Sequence, residues 1–140
     1  MMKRLEFIFL YAILGIFTPL LAQQGKLLTP DEFLPYPLGS RFTPHHLLED
    51  YFNYIDGQSD KVQIVQYGET YEFRPLMAAI ISSPQNMQRL EQIRRNNLYR
   101  TGILEGTVRE DSIAIVYLSF SIHGNEAAGS EASMAVLYFV

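Results

Sequence analysis

Apolar positions fall into stretches of different period, and each period predicts a different element. Leu47, Leu48, Tyr51, Phe52 and Ile55 recur at helical spacing, which predicts an amphipathic helix over 44–57. Thr43 is placed to cap it, Pro44 suits the first helical position, and Gly57 suits its end. Val62, Ile64, Val65, Tyr67 and Gly68 predict a first strand. A polar turn over 68–73 follows. The unbroken apolar run PLMAAII at 75–81 has strand length and is expected to be buried on both faces. Ser82, Ser83 and Pro84 close it.

Residues 85–97 place Met87, Leu90 and Ile93 among Gln, Glu and Arg. That pattern predicts a solvated helix with a narrow apolar stripe, on which Glu91, Arg94 and Arg95 form the wet face. Gly102, Gly106 and many charges make 98–111 a loop. The strongest strand signal is 112–120, SIAIVYLSF, rich in β-branched residues and apolar on both faces. It predicts a central strand. A helix is expected from about Ala127, small at first (Ala127, Ala128, Gly129, Ser130) and then apolar.

Helices alternating with buried strands predict an α/β fold: a three-layer sandwich with a mixed, largely parallel sheet. Three strands cannot cover their own faces and the helices too. The last helix also meets the end of the chain in mid-pattern. The chain is therefore expected to be the N-terminal part of a longer domain spanning 43–140, with the sheet cut short. Residues 23–42 hold Pro30, Pro35, Pro37 and Gly39 and predict an extended leading segment.

Composition narrows this picture. The chain has 140 residues, 48% of them hydrophobic, which excludes a disordered protein and permits one domain at most. Its net charge of -4 offers no basic field for a nucleic-acid backbone. Lys3 and Arg4 precede an almost wholly apolar stretch over 7–21, then Ala22 and a polar run. Residues 1–22 thus read as a signal peptide, and the mature protein as secreted or periplasmic. The alternative is a retained membrane anchor, but the stretch is shorter than the ~20 residues a spanning helix needs. No stable span is expected after cleavage. With no cysteine and three histidines, a metal site must be built from His, Asp and Glu.

The candidate chemistry lies in Ser119 to Glu131, SFSIHGNEAAGSE. His123 and Glu126 sit three apart, where an apolar strand is expected to turn into a helix. Open α/β sheets place ligands at that edge. Gly124 is expected to make the turn sharp. An imidazole and a carboxylate are two of the donor types zinc accepts, and a catalytic zinc takes three protein ligands and one open position. The small residues after Glu126 allow the helix to pack close behind. The plainer reading makes His123 a surface histidine and Glu126 an acid at a helix N-terminus. Glu131 reads as a solvated helix residue. Ser119, Ser121 and Ser130 read as strand-end and cap hydroxyls, because no Gly-x-Ser-x-Gly elbow is present. His45 and His46 belong to the first helix, away from the sheet edge.

Ser121–Glu126 after the run IAIVYLSF resembles the zinc-binding segment of the zinc carboxypeptidase family, of carboxypeptidase A type. Upstream, residues 67–76 (YGETYEFRPL) resemble that family's turn Gly-x-Ser/Thr-x-Glu-Gly-Arg-Pro-Leu between its first two strands, with Phe73 in place of the glycine. The resemblance covers about 43–140. It implies that His123 and Glu126 are the first two ligands of one zinc ion. It places Asn125 as a substrate-binding residue, where many digestive members carry an arginine. Arg74 would be structural. The second histidine ligand, the carboxylate-gripping arginine and the glutamate base are implied further along than this chain reaches. The implied activity is an exported metallopeptidase that cleaves peptides near their C-terminus, with this portion inactive alone. The alternatives are a zinc-dependent amidoacid deacylase, or a non-catalytic fragment or binding module.

Overall fold

A computed structural model of the protein describes residues 26–110 and 113–139. The expected signal peptide lies outside the described residues. Among these, helices α1 (Pro30–Phe33) and α2 (His45–Gln58) precede strands β1 (Val62–Glu69) and β2 (Pro75–Ile81). Helices α3 (Pro84–Met87), α4 (Leu90–Arg100) and α5 (Ala127–Phe139) follow. The fold is thus mixed α/β. No helix among the described residues is long and apolar enough to cross a membrane.

The core forms where α2, β1 and α5 meet. Tyr51 and Ile55 of α2, Val62 of β1, and Met134 and Leu137 of α5 are buried, together with Leu34 beyond α1. These are the apolar faces that the helical spacing of α2 and the late apolar stretch of α5 predict. Each such side chain contributes about 1.5–3 kcal/mol on burial. Truncating Ile55 to alanine would cost about 2–5 kcal/mol.

The leading segment is less irregular than its prolines suggest. Thr29 caps a single helical turn, α1, with Pro30 in the first turn. The Thr29 hydroxyl accepts the Glu32 N–H at 3.2 Å, and the Glu32 carboxylate accepts the Thr29 N–H at 2.8 Å. This reciprocal box is encoded in Thr29-Pro30-Asp31-Glu32. The N–H bond from Thr29 holds the Glu32 carboxyl below its ordinary range. α1 then sets Phe33 against Tyr51 and Tyr54, with ring centres 5.1 and 5.3 Å apart. Both tyrosines grip the backbone of Leu28. Its N–H donates to the Tyr54 hydroxyl at 2.9 Å, and its carbonyl accepts from the Tyr51 hydroxyl at 3.1 Å. The segment is therefore docked on α2.

α2 lies one residue from its predicted place, but Thr43 does not cap it. Pro44 occupies the cap position in an extended conformation. Thr43 is buried, and its hydroxyl donates to Oε1 of Glu131 at 3.0 Å. Glu131 is thus a tether between α5 and the residue just before the cap of α2 rather than a purely solvated residue.

β1 and β2 form an antiparallel hairpin, the only sheet among the described residues. Val62 faces Ile81 and Gln66 faces Met77; past a bulge at Tyr67, Gly68 faces Leu76. The bulge lets the strands twist into the turn. There the Thr70 hydroxyl accepts the N–H groups of Glu72 and Arg74, and the Thr70 N–H donates to the Arg74 carbonyl at 2.9 Å. Phe73 takes a left-handed conformation, φ 60°, at the position where the resembled motif carries glycine.

Two strand expectations need correction. Residues 75–81 do form a strand, but it is not buried on both faces: Ile80 and Ile81 are exposed. Residues 113–120 form no strand. Val116 and Tyr117 are 78% and 85% exposed. The sheet described is accordingly antiparallel and small. An apolar run records that a segment needs cover, whereas pairing is decided by distant partners.

The solvated helix splits into α3, capped by Ser83, and α4. Arg94 makes a two-pronged contact with Glu91 at 2.7 and 2.8 Å on the wet face, as expected. Asn96 is buried and its side-chain amide clasps the backbone of Arg109, accepting its N–H at 2.7 Å. Asn97 reaches the Ile113 carbonyl at 3.4 Å. α4 thereby folds the loop over 101–110 back onto itself.

Candidate metal site

The site is a turn over 121–126 leading into α5. His123, Gly124, Asn125 and Glu126 are all exposed. The Glu126 N–H donates to the His123 carbonyl at 3.0 Å, so the two candidate ligands stand at the ends of one closed turn. Glu126 immediately precedes α5, where the positive helix end favours a carboxylate. Asn125 lies between the two.

Gly124 is not the residue that makes the turn sharp. A Cβ there would meet nothing within 4 Å, and its φ is not positive. The left-handed residue is Ser121, φ 50°. Its hydroxyl donates to the Glu126 carbonyl at 2.7 Å and accepts from the Ser130 hydroxyl at 2.8 Å. Two expected strand-end and cap hydroxyls therefore bond across the turn.

The small residues of α5 do allow close packing, and Gly129 is where it happens. A Cβ on Gly129 would fall 2.7 Å from the Ser121 nitrogen and 2.8 Å from its Oγ. No side chain larger than hydrogen fits without a shift. Further along α5, Ser133, Met134 and Leu137 are buried. The helix that backs the turn is thus anchored in the core.

His45 is engaged elsewhere, with its Nε2 2.7 Å from Oε1 of Glu49 one turn along α2. No group of three or more His, Asp or Glu that could hold a metal occurs among the described residues. His123 and Glu126 supply two donor types that zinc accepts, and a third would have to come from outside this group. A groove of about 270 Å³ between the ends of α2 and α5, lined by Ile55, Val62 and Leu137, does not include them.

Sequence reasoning passed over Gly129 as a contact and Ser121 as a strained residue. The signal for Gly129 was legible: a glycine in the first turn of a helix costs stability unless something approaches it closely. Ser121 gave no local signal, since serine is not a residue that favours φ > 0. Compared with known proteins, the chain matches no family model, no curated protein and no solved structure.

Proposed function

We propose that this chain is part of an exported zinc-dependent metallopeptidase of carboxypeptidase type, acting on the C-terminal end of peptides. The observation that carries the reading is the closed turn with His123 at one end and Glu126 at the other, backed by α5 at Gly129. The order of the two resembled motifs, the 67–76 turn and the 121–126 turn, supports it. So does the left-handed backbone at Phe73, where the resembled motif has glycine.

On this reading the His123 imidazole and the Glu126 carboxylate hold one zinc ion, with a third ligand from further along the protein. When bound, such an ion supplies Lewis acidity and brings the pKa of a water down to about 7. Glu126 contributes the negative charge that keeps a divalent cation in an exposed turn. Asn125, between the ligands, offers an amide N–H to the carbonyl oxygen of the scissile bond. The three-layer sandwich with a mixed, largely parallel sheet belongs to the same proposal. Residues 1–22 would direct the protein to a secreted or periplasmic location.

The test is hydrolysis by the protein expressed from its complete coding sequence. An N-blocked dipeptide and an acyl-amide lacking a C-terminal amino acid serve as substrates. Release of the C-terminal residue, abolished by a chelator and by His123→Ala, is the expected result. Cleavage of the acyl-amide alone would replace the peptidase with a deacylase. Cleavage that survives both the chelator and His123→Ala would remove zinc from the account.

A further inference from the structure

The turn at 121–126 poses a physical question. A Cβ on its glycine would meet nothing within 4 Å, and its candidate ligands are exposed, so side-chain packing does not fix where His123 and Glu126 stand. Hydrogen bonds must do so. Ser121 is the pivot, and its left-handed backbone is one that serine seldom adopts without outside support.

The hydroxyl arithmetic shows where that support comes from. A serine hydroxyl has one proton to give and two lone pairs to receive. The Glu126 carbonyl has no proton, so the Ser121 hydroxyl spends its own there, at 2.7 Å. The Ser130 hydroxyl must then donate to Ser121 Oγ, at 2.8 Å. The direction of both bonds is fixed. The relay runs from α5, through Ser121, to the far end of the turn. It joins residues 121 and 126 directly, and the carbonyl it binds belongs to a candidate ligand.

α5 can serve as the fixed point. Ser133, Met134 and Leu137 are buried, and Glu131 is tied to the buried Thr43. Gly129 brings the helix within reach of Ser121. A helix anchored in the core, the close approach of Gly129 to Ser121 and two oriented hydroxyls thus set the loop.

We propose that Ser130 and Ser121 are positioning residues that hold the 121–126 turn in the shape that brings His123 and Glu126 to one divalent cation. This rests on the zinc reading of those two residues. Groups that orient metal ligands without touching the ion commonly change affinity by about 10–100-fold when removed.

The experiment titrates the protein expressed from its complete coding sequence with Co²⁺, followed by visible absorption, which reports affinity and coordination geometry. Thermal unfolding without metal is recorded in parallel. Ser130→Ala is expected to weaken Co²⁺ binding at least about tenfold and alter the spectrum. Ser130→Thr keeps the hydroxyl and should restore both. Ser121→Gly keeps the left-handed backbone but removes both hydroxyl bonds, so it should resemble Ser130→Ala. It also serves if Ser130→Ala does not fold. Wild-type affinity and spectrum in Ser130→Ala and Ser121→Gly would overturn the positioning role while leaving the zinc reading intact. No Co²⁺ uptake by the wild type would overturn the zinc reading and this proposal with it.

Discussion

Thr43 and Glu131 meet across 88 positions of chain, with the buried hydroxyl donating to the carboxylate at 3.0 Å. This contact ties the chain just before α2 to α5, and a hydrogen bond to a charged group contributes about 1.5–3 kcal/mol. Thr43→Val should lower stability by that amount in urea unfolding, and Thr43→Ser should retain most of it. A double-mutant cycle with Glu131→Ala should give a coupling of about 1 kcal/mol or more. A coupling near zero would show that the tether contributes nothing.

Phe73 presents the opposite case, a residue that opposes its own backbone. Its side chain is 84% exposed and its φ is 60°. A left-handed conformation costs a non-glycine residue about 1–2 kcal/mol. Glycine relieves that cost but loses about 0.5–1 kcal/mol of chain entropy. Phe73→Gly should therefore raise stability by about 0.5–1 kcal/mol, read as a higher melting temperature. A fall would mean that the phenyl ring makes a stabilising contact.

Gly129 sets helix propensity against sterics. Alanine in place of a helical glycine gains about 1 kcal/mol from propensity. Here its Cβ would meet the Ser121 backbone at 2.7 Å, and overpacking typically costs about 1–3 kcal/mol. Gly129→Ala should be destabilising on balance. It should also move the amide NMR signals of 121–126, with α2 unaffected. A more stable protein with unshifted turn signals would show that the close approach is absent.

Alkaline pH probes the core through Tyr51. Burial, followed by the neighbouring Tyr54 and Tyr138, pushes its phenol well above the ordinary value. The folded chain therefore favours the neutral phenol. Below about pH 10 both states keep the proton, and this group adds no pH dependence. Above it the unfolded chain ionises first, so stability falls as pH rises. Urea midpoints measured from pH 8 to 11 should fall less steeply in Tyr51→Phe than in the wild type. Equal slopes would contradict the burial argument. At pH 7 the variant should lose about 1 kcal/mol with the bond to the Leu28 carbonyl.

Helical periods were the most legible part of the chain. The spacing of Leu47, Tyr51 and Ile55 located α2 within one residue, because a helix is a local structure with a fixed face. The two strands β1 and β2 and the turn between them were legible for the same reason, whereas their antiparallel pairing departs from the largely parallel sheet that was expected. The α1 cap was encoded in Thr29–Glu32 but masked by the surrounding prolines. Thr43 has a capping residue's chemistry, yet its partner is Glu131, 88 positions away, and no local rule reports such a contact. The run at 113–120 announced its hydrophobicity without naming a neighbour. At the candidate site, residue types singled out His123 and Glu126, whereas the hydroxyl relay that shapes their turn depends on how α5 approaches it.

The most direct measurement is the zinc content, after dialysis against metal-free buffer, of the protein expressed from its complete coding sequence, for the wild type, His123→Ala and Glu126→Gln. The account predicts about one zinc ion per wild-type chain and a large loss in both variants, with melting temperatures without metal unchanged. Equal zinc content in all three proteins would contradict it.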